Sequence, residues 1–138
     1  MSTLRRYIKI YTSITLSFLL VFALWAYAQT DIASKLRDAW RKGNVRMLTF
    51  YLNESVELNI AEQRATYNKQ QATAHLKQFF KQYKPVGFEY LHKGSAKEGL
   101  QYMIGNYQHK DGSFSVYMLL KHRDDTYVIE VITITGHL

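Results

Sequence analysis

The 138-residue chain has no cysteine. Disulfides are therefore excluded, as is a lipid anchor on a cysteine thiol, even in a compartment where disulfides form. Thiolate metal ligands are absent too. The histidines do not replace them. His75, His92, His109, His122 and His137 include no His-x-x-x-His pair on one helix, so no metal and no cofactor is expected. Glycine is thinly spread, and Gly94, Gly99 and Gly105 lie too far apart to form a phosphate-cradling loop. Ser95, Ser113 and Ser115 lack the strand-to-helix setting of a nucleophile elbow. Proline occurs once, at Pro85, and no block of like charge appears. Without a focused basic stripe interleaved with aromatics, nucleic acid is not an expected partner.

What is present begins at the N-terminus. Arg5, Arg6 and Lys9 precede an uncharged stretch from Ile10 to Thr30 that closes on Ala26-Tyr27-Ala28 before Gln29. A basic start, an apolar middle and a small-x-small end make a secretory signal peptide. Thr12, Ser13, Thr15 and Ser17 dilute the first half, and the strongly apolar part, Phe18 to Ala26, is short. Cleavage is expected after Ala28, leaving residues 29–138 secreted or periplasmic. The alternative is an uncleaved inner-membrane anchor with the domain outside, because the positive-inside rule holds the three basic residues in the cytoplasm either way.

Residues 29–138 suit one small domain. The leader holds three of the eighteen basic residues and none of the eleven acids, so this part carries a net +4. Its lysines are scattered and read as a solvated surface. Ile32, Leu36, Ala39 and Trp40 recur at helical spacing after Thr30 or Asp31 as a cap, and Gly43 ends the helix. Asn44 caps a short second helix with Val45, Leu48, Tyr51 and Leu52 on one face. Val56, Leu58 and Ile60 alternate as a strand, and a brief extended piece covers Arg64 to Tyr67. Asn68 and Gln71 form a capping box for an amphipathic helix with Ala72, Leu76, Phe79, Phe80 and Tyr83 inward. Pro85 stops it. Strands follow at about Val86–His92, Gln101–His109, Ser113–His122 and Thr126–Thr135, with Gly94 to Gly99 a polar connection. The expected class is α+β, with helices on one face of a curved antiparallel sheet.

Turn chemistry sets an expected register. With Asp111-Gly112 central in one hairpin, Tyr107 faces Val116, Gly105 faces Met118 and Met103 faces Leu120. With Asp124-Asp125 central in the next, Leu120 faces Ile129 and Met118 faces Val131. The inner face then carries Met103, Gly105, Tyr107, Phe114, Val116, Met118, Leu120, Ile129 and Val131. Tyr102, Ile104, Asn106, Tyr117, Leu119, Val128, Glu130, Ile132 and Ile134 fall outside, a mixture suited to a partner surface.

The element order resembles the nuclear transport factor 2-like fold. The stretches Tyr67-Asn68-Lys69-Gln70-Gln71-Ala72, Phe79-Phe80, Leu91-His92-Lys93-Gly94-Ser95 and Val116-Tyr117-Met118-Leu119-Leu120-Lys121 resemble a family of small secreted bacterial proteins of unknown function with that fold. The resemblance implies a cone whose sheet curls around helices, a possible cavity, and dimerisation through the outer sheet face. It implies no catalytic residues.

Enzymes of this fold place a carboxylate or histidine inside the cone. Here the expected inner face has no Asp or Glu. Glu130 should lie outside, diagonal to Lys121, and His75 should be half-buried beside the apolar stripe of its helix. The leading expectation is an exported, non-catalytic domain that forms a homodimer or binds a protein partner through Tyr102, Asn106, Tyr117, Glu130 and Ile132. The alternative is a small hydrophobic ligand held by Trp40, Tyr51, Phe80, Tyr107 and Met118. An isomerase- or dehydratase-type enzyme requires Glu130 or His75 to point into a cavity.

Overall fold

A computed structural model of the chain describes residues 3–12, 14, 17 and 32–137. Residues 3–12 are helical and exposed, and among the described residues no helix is long and apolar enough to cross a membrane. The expected cleavage residues Ala26, Ala28 and Gln29, the apolar stretch before them, and the caps Thr30 and Asp31 lie outside the described residues. The chain divides into two units between Asp31 and Ile32.

The second unit begins with α1 (Ile32–Lys42) and α2 (Val45–Tyr51). Ala33, Leu36, Ala39 and Trp40 bury one stripe of α1, as their three- and four-residue spacing requires. Gly43 ends α1 in the left-handed region at φ +63°. The backbone N–H of Asn44 bonds to the carbonyl of Ala39 at 2.8 Å and that of Gly43 to the carbonyl of Trp40 at 3.3 Å, a Schellman closure. Asn44 then caps α2 by accepting from the Met47 N–H at 3.1 Å. Strand β1 (Leu52–Ile60) leads into β2 (Gln63–Asn68), and α3 (Lys69–Gln82) follows behind a complete Asn68/Gln71 capping box. Strands β3 (Pro85–Ser95), β4 (Gln101–His109), β5 (Gly112–Arg123) and β6 (Thr126–His137) complete the chain.

The six strands form one sheet in the order β2-β1-β6-β5-β4-β3. It is mixed rather than purely antiparallel, because β6 returns beside β1 and runs parallel to it. The extended piece before α3 is a full edge strand, paired with β1 from Val56↔Tyr67 to Ile60↔Gln63. Its turn is Ala61-Glu62, with φ of 51° and 64°. Both residues are left-handed, as a type I′ turn demands, yet neither belongs to the residue types that announce one.

Two corrections to the register follow. The β4–β5 turn centres on Lys110-Asp111, since His109 faces Gly112. Tyr107 therefore faces Phe114, Gly105 faces Val116 and Met103 faces Met118. The slip is two residues, and because side chains alternate every two, no residue changes face. In the β5–β6 hairpin, Leu120 faces Ile129 as expected, but Leu119 faces Val131 and Met118 faces Ile132. An extra residue, Glu130, makes a bulge there and inverts the parity of the rest of β6. Ile132 and Ile134 are consequently buried beneath the helices, and Val131 turns outward.

Gly105 marks a close approach in the sheet. A Cβ there would lie 2.1 Å from Phe88 Cζ, so the missing side chain makes room for the Phe88 ring. Gly105→Ala should lower unfolding free energy by about 1–3 kcal/mol, the usual cost of overpacking a dense core. Urea titration of wild type and variant checks this; equal midpoints would contradict the packing.

Candidate functional site

The interior of the cone is occupied by its own side chains. The Trp40 ring lies 5.3 Å from Phe80, 6.0 Å from Phe88 and 6.0 Å from Tyr107 by ring centroids. Its Nε1–H donates to Met118 Sδ at 3.2 Å. The five residues expected to line a ligand cavity are thus all placed inward, but Trp40, Tyr107 and Met118 are fully buried and Trp40 touches both of the others. The indole packs directly against both of them. Tyr51 and Phe80 are buried as well. Of the five, only Phe80 also reaches an open groove, and that groove lies between α2 and α3.

The described core contains no buried polar or charged residue. Glu130 sits on the outer side of its bulge, with its carboxylate 3.8 Å from Lys121 Nζ. His75 is exposed rather than half-buried, its ring 4.3 Å from that of Tyr67. It lies one step off the stripe formed by Ala72, Leu76 and Phe79, so it rests on the β2 edge and not in the core. His92 contacts the Tyr102 hydroxyl at 2.7 Å, His109 stacks on Phe114, and His122 meets Tyr127 edge-on. These four histidines occupy four different elements and do not converge.

Among the described residues, Tyr107 is a titratable group placed deep inside. Its hydroxyl donates to the Tyr83 carbonyl, and burial pushes the phenol well above its ordinary pKa of 10.0. A phenol kept neutral by burial is an anchor for the α3–β3 turn rather than a base. A raised folded-state pKa contributes stability that is complete below about pH 10 and is lost as pH climbs beyond it. Denaturation midpoints should therefore fall in strongly alkaline solution. Tyr107→Phe, less stable at neutral pH, should show a smaller alkaline loss; an identical pH profile would contradict this role.

The outer face of the sheet is the other candidate. Tyr102, Leu119 and Val131 stand side by side on β4, β5 and β6, and Ile104, Tyr117 and Thr133 form the next row. Val128 lies beyond them, opposite Lys121. Asn106 is on the same face, opposite Ser115. Four of the five expected partner-face residues, Tyr102, Asn106, Tyr117 and Glu130, are half-buried on this side; Ile132 is not, because of the bulge. Val131 is the residue that sequence reasoning missed. Glu130 between Ile129 and Val131 was the available signal, an acid interrupting an apolar run.

Helices backed against a strongly curved six-stranded sheet make this an α+β domain of the nuclear transport factor 2-like, cystatin-like kind. The chain belongs to the DUF4783 family, a domain of unknown function, which matches residues 33–135. Among solved structures it is similar to a DUF4783 family protein from Bacteroides fragilis YCH46, with 30% identity and a TM-score of 0.68, covering 72% of this chain and 93% of that one. A DUF4783 family protein from Bacteroides uniformis ATCC 8492 shares 26% identity at a TM-score of 0.72, covering 78% and 98%. A cystatin-like domain of unknown function from Nostoc punctiforme shares the fold alone, with 14% identity, a TM-score of 0.59 and coverage of 77% and 73%. No curated protein matches the sequence.

Proposed function

We propose that this domain works outside the cytoplasm as a non-catalytic association module that pairs with a second copy through the outer face of its sheet. The observation that carries the reading is the double row Tyr102–Leu119–Val131 and Ile104–Tyr117–Thr133, which no described element covers. Aromatic and aliphatic groups among a few polar ones have the composition of an interface core.

Charge permits a like partner only where the contact itself is close to neutral. Residues 29–138 carry a net +4, so two copies repel unless they meet on neutral ground. On this face two cations are matched by acids: Arg64 pairs with Glu57 at 2.6 Å and Lys121 with Glu130 at 3.8 Å. A two-fold arrangement would set the same rows against each other, the commonest symmetry of homo-oligomers. The packed, acid-free interior supports the non-catalytic part of the reading, and the signal-peptide pattern supports export.

Wild-type protein should sediment as a dimer at micromolar concentration, and Tyr117→Glu should sediment as a folded monomer. A wild type that stays monomeric at high concentration contradicts the reading. Export has its own check. Protein recovered from the periplasm or medium should begin at Gln29, whereas a chain that keeps its leader would be the membrane-anchored alternative.

A further inference from the structure

We propose that the cleft between α2 and α3 binds an acidic oligosaccharide, a site separate from the sheet face and independent of how copies associate. The cleft consists of two adjoining grooves of about 490 and 640 Å³ that share Thr49 and Thr73. Along α3, Lys69, Thr73, Lys77 and Lys81 all line it. They are spaced four residues apart, which stacks them in one row with about 6 Å of rise between neighbours. Arg46 faces this row from α2.

The lining is strongly cationic. The only acid in it is Glu54, 4.0 Å from Lys69 Nζ. Arg46, Lys77 and Lys81 have no ion pair among the described residues. Like charges at four-residue spacing destabilise a helix, and a ligand bearing regularly spaced anionic groups removes that repulsion. Residues that look scattered in sequence thus converge into one focused field.

The floor specifies the rest of the ligand. Thr49 Oγ1 donates to the Val45 carbonyl and Thr73 Oγ1 to the Lys69 carbonyl, each at 2.8 Å, while the two hydroxyl oxygens lie 2.9 Å apart. Each hydroxyl has a single proton, so the pair is one short for these three contacts. Its lone pairs suit a donor from the ligand, and a sugar hydroxyl is such a donor. A nucleic-acid phosphate offers no donor. The cleft also lacks the stacking platform that a nucleobase needs: its one aromatic residue, Phe80, is 6% exposed, and the exposed Phe50 lines neither groove.

Calorimetric titration of the full chain with a galacturonate hexamer and with a heparin hexasaccharide tests this, each at low and physiological salt. Binding of either supports the shared chemistry, and the stronger one tells carboxylate from sulfate as the source. Lys77→Gln/Lys81→Gln should weaken binding about tenfold or more and flatten its salt dependence, since each lost contact releases fewer counterions. Lys93→Gln/Lys97→Gln, on the β3 edge and the turn after it, should change neither. Thermal melts confirm that the variants fold, and Arg46→Gln on α2 serves if the double variant does not. The proposal is overturned if neither hexamer binds, if the groove variants bind like wild type, or if a neutral cellohexaose or a single-stranded hexanucleotide binds equally well.

Discussion

Trp40 holds the domain together. Its indole comes from α1, yet it touches Phe80 of α3, Phe88 of β3, Tyr107 of β4 and Met118 of β5. One side chain therefore joins α1 and α3 to three strands of the sheet. The ring buries its whole surface and still satisfies its N–H, through the Met118 sulfur. Around it the aromatic cluster runs outward through Phe79 and Phe114 to Tyr83 and His109, and the Tyr107 hydroxyl ties that end to the backbone at Tyr83.

The described interior is lined by apolar and aromatic side chains. Proton abstraction within this fold needs a carboxylate or imidazole facing inward, and the described core buries no charged side chain. The two surfaces that remain differ in chemistry. The outer sheet face mixes apolar rows with the Arg64–Glu57 and Lys121–Glu130 pairs, which suits a large flat contact. The α2–α3 cleft is open and cationic, with Arg46, Lys77 and Lys81 outside any described ion pair, which suits a charged chain. Each follows from local rules: the first from period-two alternation in β4 and β5 together with the one-residue bulge in β6, the second from four-residue spacing on α3.

Much of this was legible in the residues. The Gly43-Asn44 junction, the Asn68/Gln71 capping box and the helix stripe ending at Phe79-Phe80 each combine a backbone requirement with a residue type that meets it, so the helices could be read directly. So could the inner faces of β4 and β5, because a two-residue slip leaves parity intact. Three features escaped. Ala61-Glu62 adopts a left-handed turn that its composition does not advertise, which hid the β1–β2 hairpin. The Glu130 bulge depends on how β5 and β6 close against each other, and a one-residue insertion moved Ile132, Ile134 and Val131 across the sheet. Whether the cone is hollow depends on how the indole seats among rings from three other elements, which hydrophobic spacing alone does not encode.

The central claim is that Trp40 leaves no room beside Tyr107 and Met118. Diffraction from crystals pressurised with xenon tests it directly, since an empty apolar cavity takes up that gas. The account predicts no xenon next to the Trp40 ring. A well-occupied xenon site among Trp40, Tyr107 and Met118 would contradict it and restore the interior as a ligand site.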